Sequence, residues 1–143
     1  MIGLRVSEVA DAVGADLTTG DPDALVTSVV ADSRAVVPGS LFVALAGARV
    51  DGHEHVVASW RAGAVAALTA RDVPPAPCLP VADQVTALGR VARRVVDRAV
   101  EGGLQVVGIT GSQGKTSTKD LLAQVLEVAA AVVGGARSVV RAA

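Results

Sequence analysis

The chain is predicted to be an α/β protein: a small mixed α/β domain followed by the opening of a second, parallel-sheet domain of the phosphate-loop type. Three observations predict this. Short apolar runs rich in β-branched residues alternate with segments of helical apolar spacing. One such run, Val106-Val107-Gly108-Ile109, leads through a glycine-bracketed loop into a helical segment that begins near Lys115. Aromatic residues make up only 1% of a chain that is 51% hydrophobic. Its core must therefore come from Val, Leu, Ile and Ala, which suits layered strands and helices.

The elements follow in order. Ser7 can cap a short helix with Val9, Ala10 and Val13 on one face, ended by Gly14. Asp21-Pro22-Asp23 is a turn. Leu25 to Ala31 reads as one strand, closed by Asp32-Ser33-Arg34, and Pro38-Gly39 is a second turn signal. Leu41 to Leu45 has the continuous apolar character of a buried strand. A loop over residues 46–52 precedes a helix over 55–63 with Val56, Val57 and Trp60 on one side, and Ala64 to Leu68 is the next strand. Residues 71–80 hold four of the six prolines and read as a connection. Asp83 caps a long helix to about Glu101, with a stripe at Val85, Leu88, Ala92, Val95 and Ala99 and with its arginines on a solvated face. Gly102-Gly103 stops it, Leu104 to Ile109 reads as a strand, and a last helix runs to about Val128 with Leu122, Val125, Leu126 and Ala129 inward. The boundary falls near Val81 to Asp83, giving domains 1–82 and 83–143. After Glu127 no acidic residue occurs, and the tail could add one more strand or helix.

The loop between the last strand and helix suits phosphate binding. Gly111 and Gly114 let the backbone turn tightly and bring N–H groups close to an anion, and the helix opening at Lys115 adds the positive end of its dipole. Lys115 would meet the β/γ-phosphates of ATP and the Thr116 hydroxyl could ligate Mg²⁺, so these two are the candidate catalytic residues, Thr116 also the candidate metal ligand. Gly111, Ser112, Gln113, Gly114, Lys115, Thr116 and Ser117 form the candidate nucleotide site. The spacing departs from the general pattern, since five residues rather than four separate Gly108 from Gly114-Lys115.

Composition excludes several classes. A net charge of −1 gives no electrostatic case for nucleic acid. A lone Cys78 excludes an intrachain disulfide and a cysteine metal cluster. Arg5, Glu8 and Asp11 interrupt the N-terminal apolar residues too early for a signal peptide, and no window approaches the roughly 20 apolar residues of a membrane span. A cytoplasmic protein without membrane contact is the expectation.

Two separated signatures resemble one family. The loop Thr110-Gly111-Ser112-Gln113-Gly114-Lys115-Thr116-Ser117-Thr118-Lys119-Asp120 resembles the ATP loop of the Mur ligases of bacterial cell-wall synthesis, whose glycine spacing is the one found here. Upstream, Asp32-Ser33-Arg34, Pro38-Gly39-Ser40-Leu41-Phe42-Val43-Ala44-Leu45, Gly47 and Asp51-Gly52-His53 resemble the family's N-terminal domain. The resemblance covers about residues 1–128. Ser112-Gln113 and the following Thr-Ser-Thr-Lys are most similar to the branch that adds D-alanyl-D-alanine. The branch that adds a single amino acid is the alternative, and its loop more often reads Thr-Asn there.

The resemblance implies a central domain of the Mur ligase type after residue 83. It also implies a reaction in peptidoglycan precursor synthesis, with consequences for cell shape and division. ATP phosphorylates the terminal carboxylate of a UDP-N-acetylmuramoyl-peptide, and the amine of D-alanyl-D-alanine attacks the acyl phosphate, with electrostatic roles for Lys115 and Mg²⁺-bound Thr116. It further implies that the N-terminal domain holds the UDP end, with Ser33, Arg34, Gly47, Asp51, Gly52 and His53 as candidates. Each has a plainer alternative: a side-chain-capped turn for Asp32-Ser33-Arg34, turn geometry for the glycines, and a hydrogen bond at a helix start for His53. No second ligand at a matching spacing supports a metal at His53. Family members are three-domain enzymes, so the resemblance implies a truncated or frame-disrupted copy or a fragment, unable to ligate alone. Such a chain would expose its long helix and invite self-association. A UDP-substrate-binding module without catalysis and an unrelated phosphate-loop NTPase are the competing readings; the upstream signatures argue against the second.

Overall fold

The computed structural model describes residues 3–46 and 51–133, with side chains to residue 128. The chain divides into two compact units, Met1–Leu104 and Gln105–Ala143.

In the first unit, strand β1 (Leu4–Arg5) leads into helix α1 (Val6–Val13), and Gly14 closes that helix. Ser7 is not its cap: Arg5 takes that position, and its N–H donates to Glu8 Oε2 at 2.9 Å. The run expected as one strand over 25–31 divides at Thr27. Strand β2 (Leu25–Val26) pairs antiparallel with β1, whereas β3 (Ser28–Val30) starts a different sheet. That sheet is parallel, with order β3-β4-β5-β6, where β4 is Ser40–Val43, β5 is Ala64–Thr69 and β6 is Cys78–Pro80. Helix α2 (Val56–Arg61) crosses between β4 and β5. Strand β6 lies within the proline-rich segment, where no strand was expected. Strand β6 lies at the edge of the described sheet, where the missing N–H of Pro80 is tolerated.

Both sheet faces are covered, as parallel sheets require. Leu41 and Val43 of β4, with Ala66 and Leu68 of β5, pack against Val6, Val9 and Val13 of α1. Phe42, Ala44, Ala64 and Ala67 point the other way, toward Val56 of α2. From Leu41 to Ala44 and from Ala66 to Leu68 the alternation has the period of two of a strand, and the register shift between Ser40 and Leu41 breaks it at Ala64.

Helix α3 (Gln84–Glu101) starts at Asp83, whose Oδ1 accepts from the N–H groups of Val85 at 2.9 Å and Thr86 at 3.2 Å. Its buried face differs from the expected stripe. Ala87 and Val91 are buried and Leu88 and Val95 pack beside them, whereas Val85 is 66% exposed. The arginines explain the rotation, because they dock the helix rather than solvate it. Arg90 Nη1 donates to the Val13 carbonyl at 3.1 Å, and Arg98 Nη1 reaches both Glu8 oxygens at 2.7 and 3.0 Å. Arg94 adds a longer contact to Glu8 at 3.4 Å. These bonds carry α3 onto the first compact unit, which runs to Leu104.

The second unit contains helix α4 (Lys115–Val133). Residues 104–110 are not a strand, and Val106 and Val107 are exposed. Among the described residues of this unit no strand occurs, so the apolar run has no partner ladder to join. Val125 and Leu126, expected inward, are exposed, and Ala129 and the tail beyond residue 133 lie outside the described side chains or residues. Among the described residues no helix is long and apolar enough to cross a membrane.

Candidate functional site

Because β3, β4 and β5 run parallel, the loops that follow them emerge at one edge, the carboxyl edge of the sheet. In open α/β sheets that edge is where ligands bind. It collects the sequence candidates Ser33 and Arg34 after β3 and Asp51, Gly52 and His53 after β4, and it adds Ala70-Arg71 after β5. Gly47 lies outside the described residues.

After β3 the chain turns through a 3-10 helix, Ser33–Ala35, capped by Asp32. Asp32 Oδ1 accepts from the Arg34 N–H at 3.0 Å, and the Arg34 guanidinium closes on the same carboxylate through Nε at 2.9 Å and Nη2 at 2.7 Å. This fork holds the Asp32 carboxyl at about 2, against an ordinary 3.8. The capped turn and an exposed guanidinium therefore coexist, with two of its donors already engaged.

After β4 the geometry is tighter. Ala46 bridges Asp51 in antiparallel fashion, and the Gly52 N–H donates to the Leu45 carbonyl at 3.0 Å. A 3-10 helix, Gly52–His55, then leads into α2. The requirement for glycine at 52 is space: an added Cβ would stand 2.6 Å from the Leu45 carbonyl oxygen.

His53 is the buried polar centre of this edge, only 4% exposed. The Ala70 N–H donates to its Nε2 at 2.8 Å. That acceptor role assigns the ring proton to Nδ1, which faces Asp51 Oδ1 at 2.5 Å. The same Oδ1 also accepts the His53 N–H at 3.0 Å, while Oδ2 lies 3.4 Å from Arg71 Nη2. The backbone and ring hydrogen bonds from His53 hold the Asp51 carboxyl at about 2. Sequence reasoning placed His53 on the site but missed Ala70 and Arg71, which lie 17 and 18 residues away and carry no motif.

In the second unit, Gly111 (φ 151°) and Gly114 (φ 77°) take left-handed conformations that favour glycine. Lys115 opens α4 and its Nζ folds back onto the Gly111 carbonyl. The Thr118 N–H donates to the Gly114 carbonyl at 2.9 Å, the first intrahelical bond, so the preceding amides have no intrahelical acceptor. Ser112, Gln113, Thr116 and Ser117 are exposed around them. Cys78 is buried on the far face of the sheet, where desolvation pushes its thiol up, and among the described residues no cluster of three metal-ligating side chains occurs.

Comparison with known proteins gives a consistent picture. The sequence pattern described as "Mur ligase family, catalytic domain" matches residues 25–96. The UDP-N-acetylmuramoyl-tripeptide–D-alanyl-D-alanine ligase of Mycobacterium leprae is 42% identical over 161 aligned residues, covering 93% of this chain and 31% of that protein. Among solved structures, MurF from Acinetobacter baumannii superposes with a TM-score of 0.72 at 29% identity, covering 88% of this chain and 28% of that one. MurF from Thermotoga maritima, solved in complex with ADP, gives 0.59 at 34% identity, covering 72% and 24%. The chain thus spans about a third of the length of the relatives it matches.

Proposed function

The chain belongs to the Mur ligase family, and from that premise we propose that it carries the nucleotide-facing part of an ATP-dependent ligase. The ligase joins D-alanyl-D-alanine to UDP-N-acetylmuramoyl-tripeptide in cytoplasmic peptidoglycan precursor synthesis. Residues 1–82 hold the UDP end of the substrate, with α3 packed beneath them, and residues 83–143 bring the ATP loop. The observation that carries this reading is the convergence of Ser33, Arg34, Asp51, Gly52 and His53 on one carboxyl edge.

The phosphate loop fits a triphosphate on its own geometry. Two glycines in left-handed conformations, a helix start with free first-turn amides and the Lys115 ammonium folded over the loop provide donors of one sign. The Thr116 hydroxyl, at the second position of α4, is the hard oxygen donor that Mg²⁺ prefers. Bound Mg²⁺ supplies charge neutralisation on the phosphates. Lys115 and the first-turn amides orient the γ-phosphoryl group for attack by the muramoyl-tripeptide carboxylate, which releases ADP and leaves an acyl phosphate. The D-alanyl-D-alanine amine then displaces phosphate and forms the amide.

Isothermal titration of the chain with UDP-N-acetylmuramoyl-tripeptide and, separately, with Mg-ATP tests this. Saturable binding of both is expected. No saturable binding of either ligand would overturn the proposal, and a preference for UDP-muramoyl-dipeptide would move the assignment to the amino-acid-adding branch.

A further inference from the structure

Of the arginines described at the carboxyl edge, the sequence singles out Arg34, yet its guanidinium is clamped by a two-point fork onto Asp32. Arg71 is placed differently. It follows β5 by two residues, its side chain is 64% exposed, and it touches Asp51 through one Nη alone, at 3.4 Å. A guanidinium carries five N–H donors, so among the described residues most of those of Arg71 stay available. Oδ1 of Asp51 is occupied twice by His53, so Arg71 meets Oδ2 at one point and forms no fork like that of Arg34. The result is a relay: the Ala70 N–H fixes the His53 ring, the ring fixes Asp51, and Asp51 steadies an outward-facing cation.

We propose that Arg71 is a further substrate-contacting residue, meeting the diphosphate of the UDP-linked substrate, and that His53 serves it as a positioning residue rather than as a ligand. This rests on the reading of the carboxyl edge as the nucleotide site. His53 is buried and both its ring nitrogens are engaged within the protein, so it has no donor or acceptor left for a ligand. An ordinary surface ion pair between Arg71 and Asp51 would leave substrate affinity untouched; a diphosphate contact would not.

The test uses the full chain in NMR titrations with UDP and, as the uncharged arm, uridine. Arg71→Gln is expected to weaken UDP binding about tenfold, the scale of one lost charge-assisted hydrogen bond, and to leave uridine binding unchanged. Arg71→Lys recovers part of the loss. UDP affinity of Arg71→Gln within twofold of the parent chain would overturn the role of Arg71. Failure of the parent chain to bind either UDP or UDP-N-acetylmuramoyl-tripeptide would overturn the underlying site as well, which separates the two failures. For His53, nitrogen-15 spectra of the imidazole are expected to show the proton on Nδ1, and Arg71→Gln made in a His53→Gln background to add no further loss of UDP affinity. A ring protonated on Nε2 alone, or additive losses, would overturn the positioning role.

Discussion

Replacing Gly52 by alanine puts the geometry of the sheet's carboxyl edge to a quantitative test. The added Cβ would stand 2.6 Å from the Leu45 oxygen, 2.8 Å from the Leu45 nitrogen and 3.0 Å from the Ala44 carbonyl carbon. All three are backbone atoms, and comfortable contact begins near 3.5 Å, so strand and turn must part by about 0.5–1 Å. That movement breaks the Gly52-to-Leu45 hydrogen bond, worth about 1 kcal/mol, on top of an overpacking cost of about 1–3 kcal/mol. A loss of about 2–4 kcal/mol is expected. With a urea slope of about 1.5 kcal/mol/M, the midpoint drops by about 2 M. The sole tryptophan, Trp60, lies on α2 immediately after this turn, so its fluorescence reports the transition. The same substitution at Gly89 is the control: it sits inside α3 with nothing within 4 Å of an added Cβ, and should gain about 0.5–1 kcal/mol from helix propensity. A Gly52→Ala change below 0.5 kcal/mol, or the same sign at both sites, would refute the reasoning.

Leu68→Ala, at a fully buried position of β5, should cost about 3 kcal/mol in the same denaturation assay, and less than 1 kcal/mol would contradict the described core. Asp51 carries a folded-state pKa of about 2 against an ordinary 3.8, so its anion stabilises the fold above pH 3.8 and that contribution drains as pH falls toward 2. The urea-midpoint profile of Asp51→Asn should therefore be flatter than that of the parent chain between pH 4 and 2, and parallel profiles would count against the His53–Asp51 hydrogen bonds. Lys115→Met should weaken Mg-ATP at least tenfold while leaving the Trp60 transition in place; unchanged ATP affinity in calorimetry would remove Lys115 from the phosphate site.

What was legible in the sequence was what local chemistry dictates. Asp83 and Gly14 mark helix ends through their own side chains or backbone freedom, and the buried apolar run of β4 needs no distant information. The left-handed turns at Gly111 and Gly114 and the helix start at Lys115 are similar, since they depend on residues close in sequence. Errors came where partners are remote. Leu25 to Ala31 reads as one strand, but only pairing with β1 on one side and β4 on the other divides it at Thr27. Residues 104–109 have strand propensity without a ladder to join. The phase of α3 was misread because the arginines were assigned to water, whereas Glu8, some 90 residues upstream, claims Arg98. On the site, the candidates around Asp51 were visible as a motif. Their connection to Ala70 and Arg71 exists only once β5 lies beside β4.

The docking of α3 also has a consequence for synthesis. The sheet is complete once Pro80 has emerged from the ribosome, yet the apolar face of α1 is closed by Ala87 and Val91 and secured through Arg90 and Arg98. Chain made early must wait for chain made late, and loop-closure entropy is spent before those contacts repay it. A nascent chain halted at residue 82 would lack Ala87 and Val91 of that core and leave the α1 face uncovered, a state open to chaperones and proteases. Release of about twenty further residues converts it to a sealed unit.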